Sequence, residues 1–168
     1  MKVTRFISHM SVLIAGLMLI SIASAQETQD NTTLETPLPE AMRLEGFTQV
    51  YQDTNRCSAA ALSTHLTYFS ENTLGYRDII AQLNPYGGDV SVRIEEMAAV
   101  AETQGLQALV RRGGTLDLLK QLVAAGFPVL IENVYYDGPN GWDDWLSHNR
   151  VLVGYDDNTR TLYFFDPL

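Results

Sequence analysis

Between residues 58 and 69 apolar side chains return every three or four positions, with Ala59, Leu62, Leu66 and Phe69 on one face and Ala60 and Ala61 adding helix-forming material. The spacing predicts a helix with Cys57 in its first turn, running to about Ser70 and preceded by Asp53, Thr54 and Asn55 as turn and cap residues. A turn at 72–75 leads into a short second helix over 76–83. Ser91 is the expected cap of a third helix through Gln104, with Ile94, Met97, Ala98 and Ala101 on its apolar face and Gly105 as its stop. Residues 107–111 read as a short strand. Gly113-Gly114-Thr115 opens a fourth helix with Leu116, Leu119, Leu122 and Val123 as its buried stripe and Gly126 at its end. From Phe127 the period changes to that of strands: 128–132, a long loop over 135–147, then 148–155, a turn at 156–159, and a return over 162–165. Helices first and a small antiparallel sheet afterwards make an α+β domain.

The chain of 168 residues starts differently. Lys2 and Arg5 precede an uncharged apolar run over 11–22, and Ala23-Ser24-Ala25 follows as a small-residue cleavage site. Residues 1–25 are therefore expected to be a secretory signal peptide, the apolar run being short for a membrane span, with an uncleaved anchor as the plain alternative; the protein is expected to be exported with no stable membrane association after cleavage. Residues 26–43, which include Pro37 and Pro39, read as a flexible tether, and 44–168 as one folded domain. The formal net charge is −9, and losing Lys2 and Arg5 makes the remainder more acidic still. That argues against nucleic acid or anionic membrane as a partner.

Export changes the meaning of the single cysteine. It cannot form an internal disulfide, and free thiols are usually avoided in an oxidising compartment. A buried, inert cysteine is the plain alternative. At a helix start, however, unpaired backbone N–H groups and the positive end of the helix dipole face a side chain that attacks as an anion. A base is then needed, and the chain has three histidines. His9 leaves with the signal peptide, and His65 lies roughly 12 Å further along the Cys57 helix. His148, at the start of a strand, is the remaining candidate. The hairpin that follows returns the chain antiparallel and brings Asp166 near His148, where a carboxylate could fix the ring. Asp156 and Asp157, at the other end of that hairpin, read as turn residues. An oxyanion hole would take the Cys57 backbone N–H together with a side-chain amide shortly upstream, for which Gln52 is placed. No spacing of zinc or calcium ligands is present, and this chemistry needs no cofactor.

Gln52-x4-Cys57-Ser-Ala-Ala-Ala-Leu62, Gly126-Phe-Pro-Val-Leu-Ile131, Trp145-Leu-Ser-His148-Asn-Arg-Val-Leu-Val-Gly-Tyr-Asp156 and Phe165-Asp166-Pro167 together resemble the papain-like bacteriocin-processing peptidases, cysteine peptidase family thirty-nine. The resemblance covers about residues 44–168, and its specific part is the His-x5-Gly-Tyr-Asp block followed by Asp-Pro. It implies a papain-like fold, Cys57 as nucleophile, His148 as base, Asp166 as orienter and Gln52 in the oxyanion hole. The implied substrate is a peptide or protein, and the resemblance is to the stand-alone exported members rather than to those fused to a transporter domain. Ser58 departs from the glycine that commonly follows the family's nucleophile. Two other readings use the same residues: an acyltransferase of transglutaminase-like type, and a degenerate module that binds peptides without turnover.

Overall fold

The computed structural model describes residues 37–168 except 71, 72, 87, 89 and 142; the expected signal peptide and most of the expected tether lie outside them. Its elements, in order, are β1 (Ala41–Arg43), α1 (Cys57–Thr67), α2 (Tyr76–Leu83), α3 (Ile94–Thr103), α4 (Leu116–Ala124), β2 (Val129–Tyr136), β3 (Trp145–Asp156) and β4 (Thr161–Phe165).

α1 is the hub. Its alanines let neighbours approach from opposite sides, so residues 58–64 are all buried. Ala59, Leu62 and Leu66 pack with Ile79 and Leu83 of α2 and with Met97, Val100 and Ala101 of α3. Ala61 faces the sheet, in a second cluster with Val123 of α4 and Val151, Val153 and Tyr155 of β3. Burial of each Leu or Ile in these clusters contributes about 1.5–3 kcal/mol.

The sheet is antiparallel and centred on β3, a strand of twelve residues. β2 pairs with β3 from Trp145 to Leu152 and β1 continues along it from Gly154 to Asp156, while β4 also pairs with β3, from Val151 to Asp156. β1 takes in residues expected to be tether. Its three residues carry no alternation of their own; they are ordered by β3 and by the hairpin turn, where Glu40 O accepts from Asp157 N–H at 2.8 Å and Pro39 O from the Tyr155 hydroxyl at 2.9 Å.

Other departures have local causes. α3 begins at Ile94 rather than after Ser91, because the Glu96 carboxylate, three residues into the helix, accepts from the Arg93 N–H at 2.7 Å. Residues 107–111 form no strand: Leu106 packs on the helical cluster and Leu109 is exposed, but an alternating pattern makes a strand only where a neighbour supplies the ladder. α4 touches the core through Leu119 and Val123, while Leu116 at its start is 54% exposed. The expected loop over 135–147 contracts because β2 runs on to Tyr136 and β3 starts at Trp145, with these two rings 5.6 Å apart across the strands.

Gly154 sits where β1, β3 and β4 meet. A Cβ there would lie 2.7 Å from Met42 O, 3.2 Å from Arg43 Cα and 3.1 Å from Tyr163 Cδ2. The first two are backbone and cannot swing aside. Gly154→Ala is expected to destabilise the domain by about 1–3 kcal/mol, read as a lower midpoint in a urea titration with unchanged slope. A midpoint equal to wild type would show that β1 yields at no cost.

Candidate functional site

Cys57 is the first residue of α1 and is half-buried. The helix is reached through a turn in which Arg56 N–H donates to Asp53 O at 3.1 Å, with Asn55 at φ 57°, a conformation asparagine tolerates. Arg56, not one of the expected polar caps, occupies the N-cap position, and its side chain makes no capping hydrogen bond. Ser58, the departure from the family pattern, is buried rather than turned to solvent.

The sulfur meets β3. Asn149 Nδ2 donates to Cys57 Sγ at 3.7 Å, and Asn149 is the residue directly after His148. Among the described residues, His148 makes its side-chain hydrogen bond elsewhere: its Nε2 lies 2.7 Å from Asp166 Oδ1. The structure thus joins the predicted histidine to the predicted carboxylate and sets the next strand residue against the predicted nucleophile, with no hydrogen bond from the imidazole to the sulfur.

How Asp166 comes to face His148 depends on one irregularity. Thr161 pairs with Asp156, Leu162 with Tyr155 and Tyr163 with Gly154, but a shift at Val153 then pairs Phe164 with Leu152 and Phe165 with Val151. One step further, Asp166 stands across from Arg150, which shares a face of the strand with His148. Without the shift Asp166 would stand across from Val151, whose side chain is fully buried in the core on the other face. The bulge delivers the carboxylate to the histidine's side.

Around Asp166 the chain is closely tied. Oδ1 also accepts from the Leu168 N–H at 3.1 Å, Oδ2 lies 3.9 Å from Arg150 Nη1, and its backbone carbonyl accepts from Gln49 Nε2 at 2.8 Å. Burial tends to raise the Asp166 pKa. The hydrogen bond from His148, that from Leu168 and the neighbouring charges of His148 and Arg150 outweigh burial and hold it below the ordinary carboxylate value. An ionised Asp166 can only accept, so Nε2 carries the proton and Nδ1 is the nitrogen left to exchange one.

Gln52 is fastened to the same region, its backbone N–H donating to Pro167 O at 2.9 Å. Its side-chain Oε1 is buried without a hydrogen-bond partner. His65 stays apart: Nε2 lies 3.1 Å from Pro128 O, and burial, against that hydrogen bond, lowers its pKa and keeps the ring neutral. Asp156 does turn work, accepting from Asn158 and Thr159 N–H at 2.9 and 3.2 Å, and Asp157 pairs with Lys120 at 2.7 Å. Among the described residues, no three of His, Cys, Asp and Glu cluster as a metal site requires.

Sequence reasoning missed Gln49, Arg150 and Asn149. The last had a visible signal: it is the polar member of an alternation whose next members, Val151, Val153 and Tyr155, are core residues.

A search of curated proteins finds no match. The family model described as Peptidase_C39 like family matches residues 42–168. Four helices on a small antiparallel sheet are the papain-like α+β arrangement that the motifs implied. The chain therefore belongs to the Peptidase_C39 like family, and its domain is cysteine-peptidase-like.

Proposed function

We propose that this protein is an exported cysteine peptidase that cleaves peptide bonds through an acyl-enzyme. The observation that carries the reading is the 2.7 Å bond between His148 Nε2 and Asp166 Oδ1, on a strand whose next residue touches the sulfur of Cys57. His148 Nδ1 takes the thiol proton and Sγ attacks the substrate carbonyl carbon. The Cys57 N–H and the Gln52 amide receive the developing oxyanion, and His148 returns the proton to the leaving amine. Water, deprotonated by the same ring, then splits the thioester. Asp166 orients the ring and stabilises it as an imidazolium.

The substrate is a peptide or protein segment. On the face of the hairpin that carries Asn149, the exposed Tyr136–Trp145 pair offers an apolar platform beside Asp137, Asp143 and Asp144. Such a surface suits apolar or basic side chains.

Incubating the purified domain with a peptide library, with and without a primary amine, tests the reading by mass spectrometry. New free termini in both reactions are expected. Amine adducts in place of free acids would make the protein an acyltransferase, and peptides retained but uncut would make it a binding module.

A further inference from the structure

We propose that Asn149 is a further catalytic residue of this site: its side-chain amide is the donor that holds the Cys57 sulfur as the attacking anion. The proposal rests on the reading of Cys57 as the nucleophile.

Asn149 occupies a position where the fold favours an apolar side chain. It is 3% exposed, and Val151, the next residue on its face of β3 before the shift at Val153, is fully buried. A buried amide retained only for structure would be expected to satisfy both its ends. Here Nδ2 reaches Sγ at 3.7 Å and Oδ1 is buried with no partner. Among the described residues, the amide's one hydrogen bond is thus to the sulfur, and it is also the one hydrogen bond that Sγ makes.

The division of labour with His148 follows from donor chemistry. An amide N–H cannot take up the thiol proton, so it does not compete with the imidazole as base, and it can donate to a sulfur that has lost its proton. In the attack, a sulfur lone pair forms the C–S bond, the carbonyl π pair moves onto oxygen, and the amide keeps its proton throughout. A donor on the sulfur stabilises the charge it carries once His148 has taken the proton and costs that anion a smaller part of its nucleophilicity, so the net effect is a faster attack.

Asn149→Leu, similar in shape without the donor, and Asn149→Asp, similar in shape with an acceptor, separate this role from packing. Both are compared with wild type for iodoacetamide alkylation of Cys57 at pH 7, for thermal melting, and for kcat and KM on a cleaved peptide. The Leu variant is expected to melt no lower than wild type, since the unpaired Oδ1 leaves the core. It should alkylate roughly threefold to tenfold more slowly, with kcat reduced and KM unchanged. The Asp variant, with a carboxylate against the sulfur, should be slower still. Wild-type alkylation rates in either folded variant would overturn the proposal, as would loss of fold in both, which would make Asn149 structural. Alkylation needs no peptide substrate. Slow alkylation of the variants beside a wild type that cuts nothing would therefore support the donor role while counting against the peptidase reading alone.

Discussion

Cys57→Ala should abolish peptide cleavage while leaving the fold nearly untouched. Alanine is the best helix former and Cys57 is the first residue of α1, so the helix loses nothing in propensity. The side chain is half-buried and contributes one sulfur atom, whose protein contact by hydrogen bond is the Asn149 amide. Removing it leaves a small, partly solvent-filled space rather than a closed core cavity. Turnover has no such tolerance, because without Sγ no acyl-enzyme forms, and a loss of at least about 10⁴-fold is expected. As the chain holds a single cysteine, iodoacetamide labelling should vanish in the same variant. The measurements are peptide cleavage, labelling by mass, and the melting temperature. Cleavage within tenfold of wild type in folded Cys57→Ala would remove the cysteine from the mechanism.

What was legible in the sequence divides along physical lines. Periodicity and a change from polar to helix-forming residues are local signals, and they give α2 to the residue and α1 at its start. β1 and residues 107–111 failed in opposite directions for the same reason. A strand needs a partner, which Ala41–Arg43 have in β3 and the alternating run lacks. At the site, the pairing of His148 with Asp166 was anticipated from hairpin return alone, which locates neighbours but not faces. The face is decided by the shift at Val153, and nothing local in Val151-Leu152-Val153 announces it. Gly154 beside it was legible as part of a motif, whereas its reason, the approach of Met42 and Arg43, came only from the strand the sequence had hidden. Asn149 is a different case: its burial on the strand is legible beside the histidine, whereas its approach to the sulfur depends on where α1 packs against β3.

Asp166 gives the sharpest test of whether that geometry is a working one. Asp166→Asn keeps the size and an acceptor oxygen for His148 Nε2 but removes the charge that would stabilise the ring as a cation. Turnover should fall about tenfold in the Asn variant and about a hundredfold in Asp166→Ala, where nothing holds the ring. Asp156→Ala serves as the control, since its carboxylate caps the turn at the far end of the hairpin, and its rate should match wild type as long as it is folded. The same carboxylate should be visible in stability. Its pKa is depressed in the folded protein, so its contribution is present above the ordinary value of 3.8 and is lost as pH falls through the lowered folded value. Melting temperatures from neutral to strongly acidic pH should therefore drop less steeply for Asp166→Asn than for wild type in the acid limb. The two curves should run parallel above it. If Asp156→Ala slowed turnover as much as Asp166→Ala with both proteins folded, the bulge would not be delivering the working carboxylate, and the hairpin would have to act in another register.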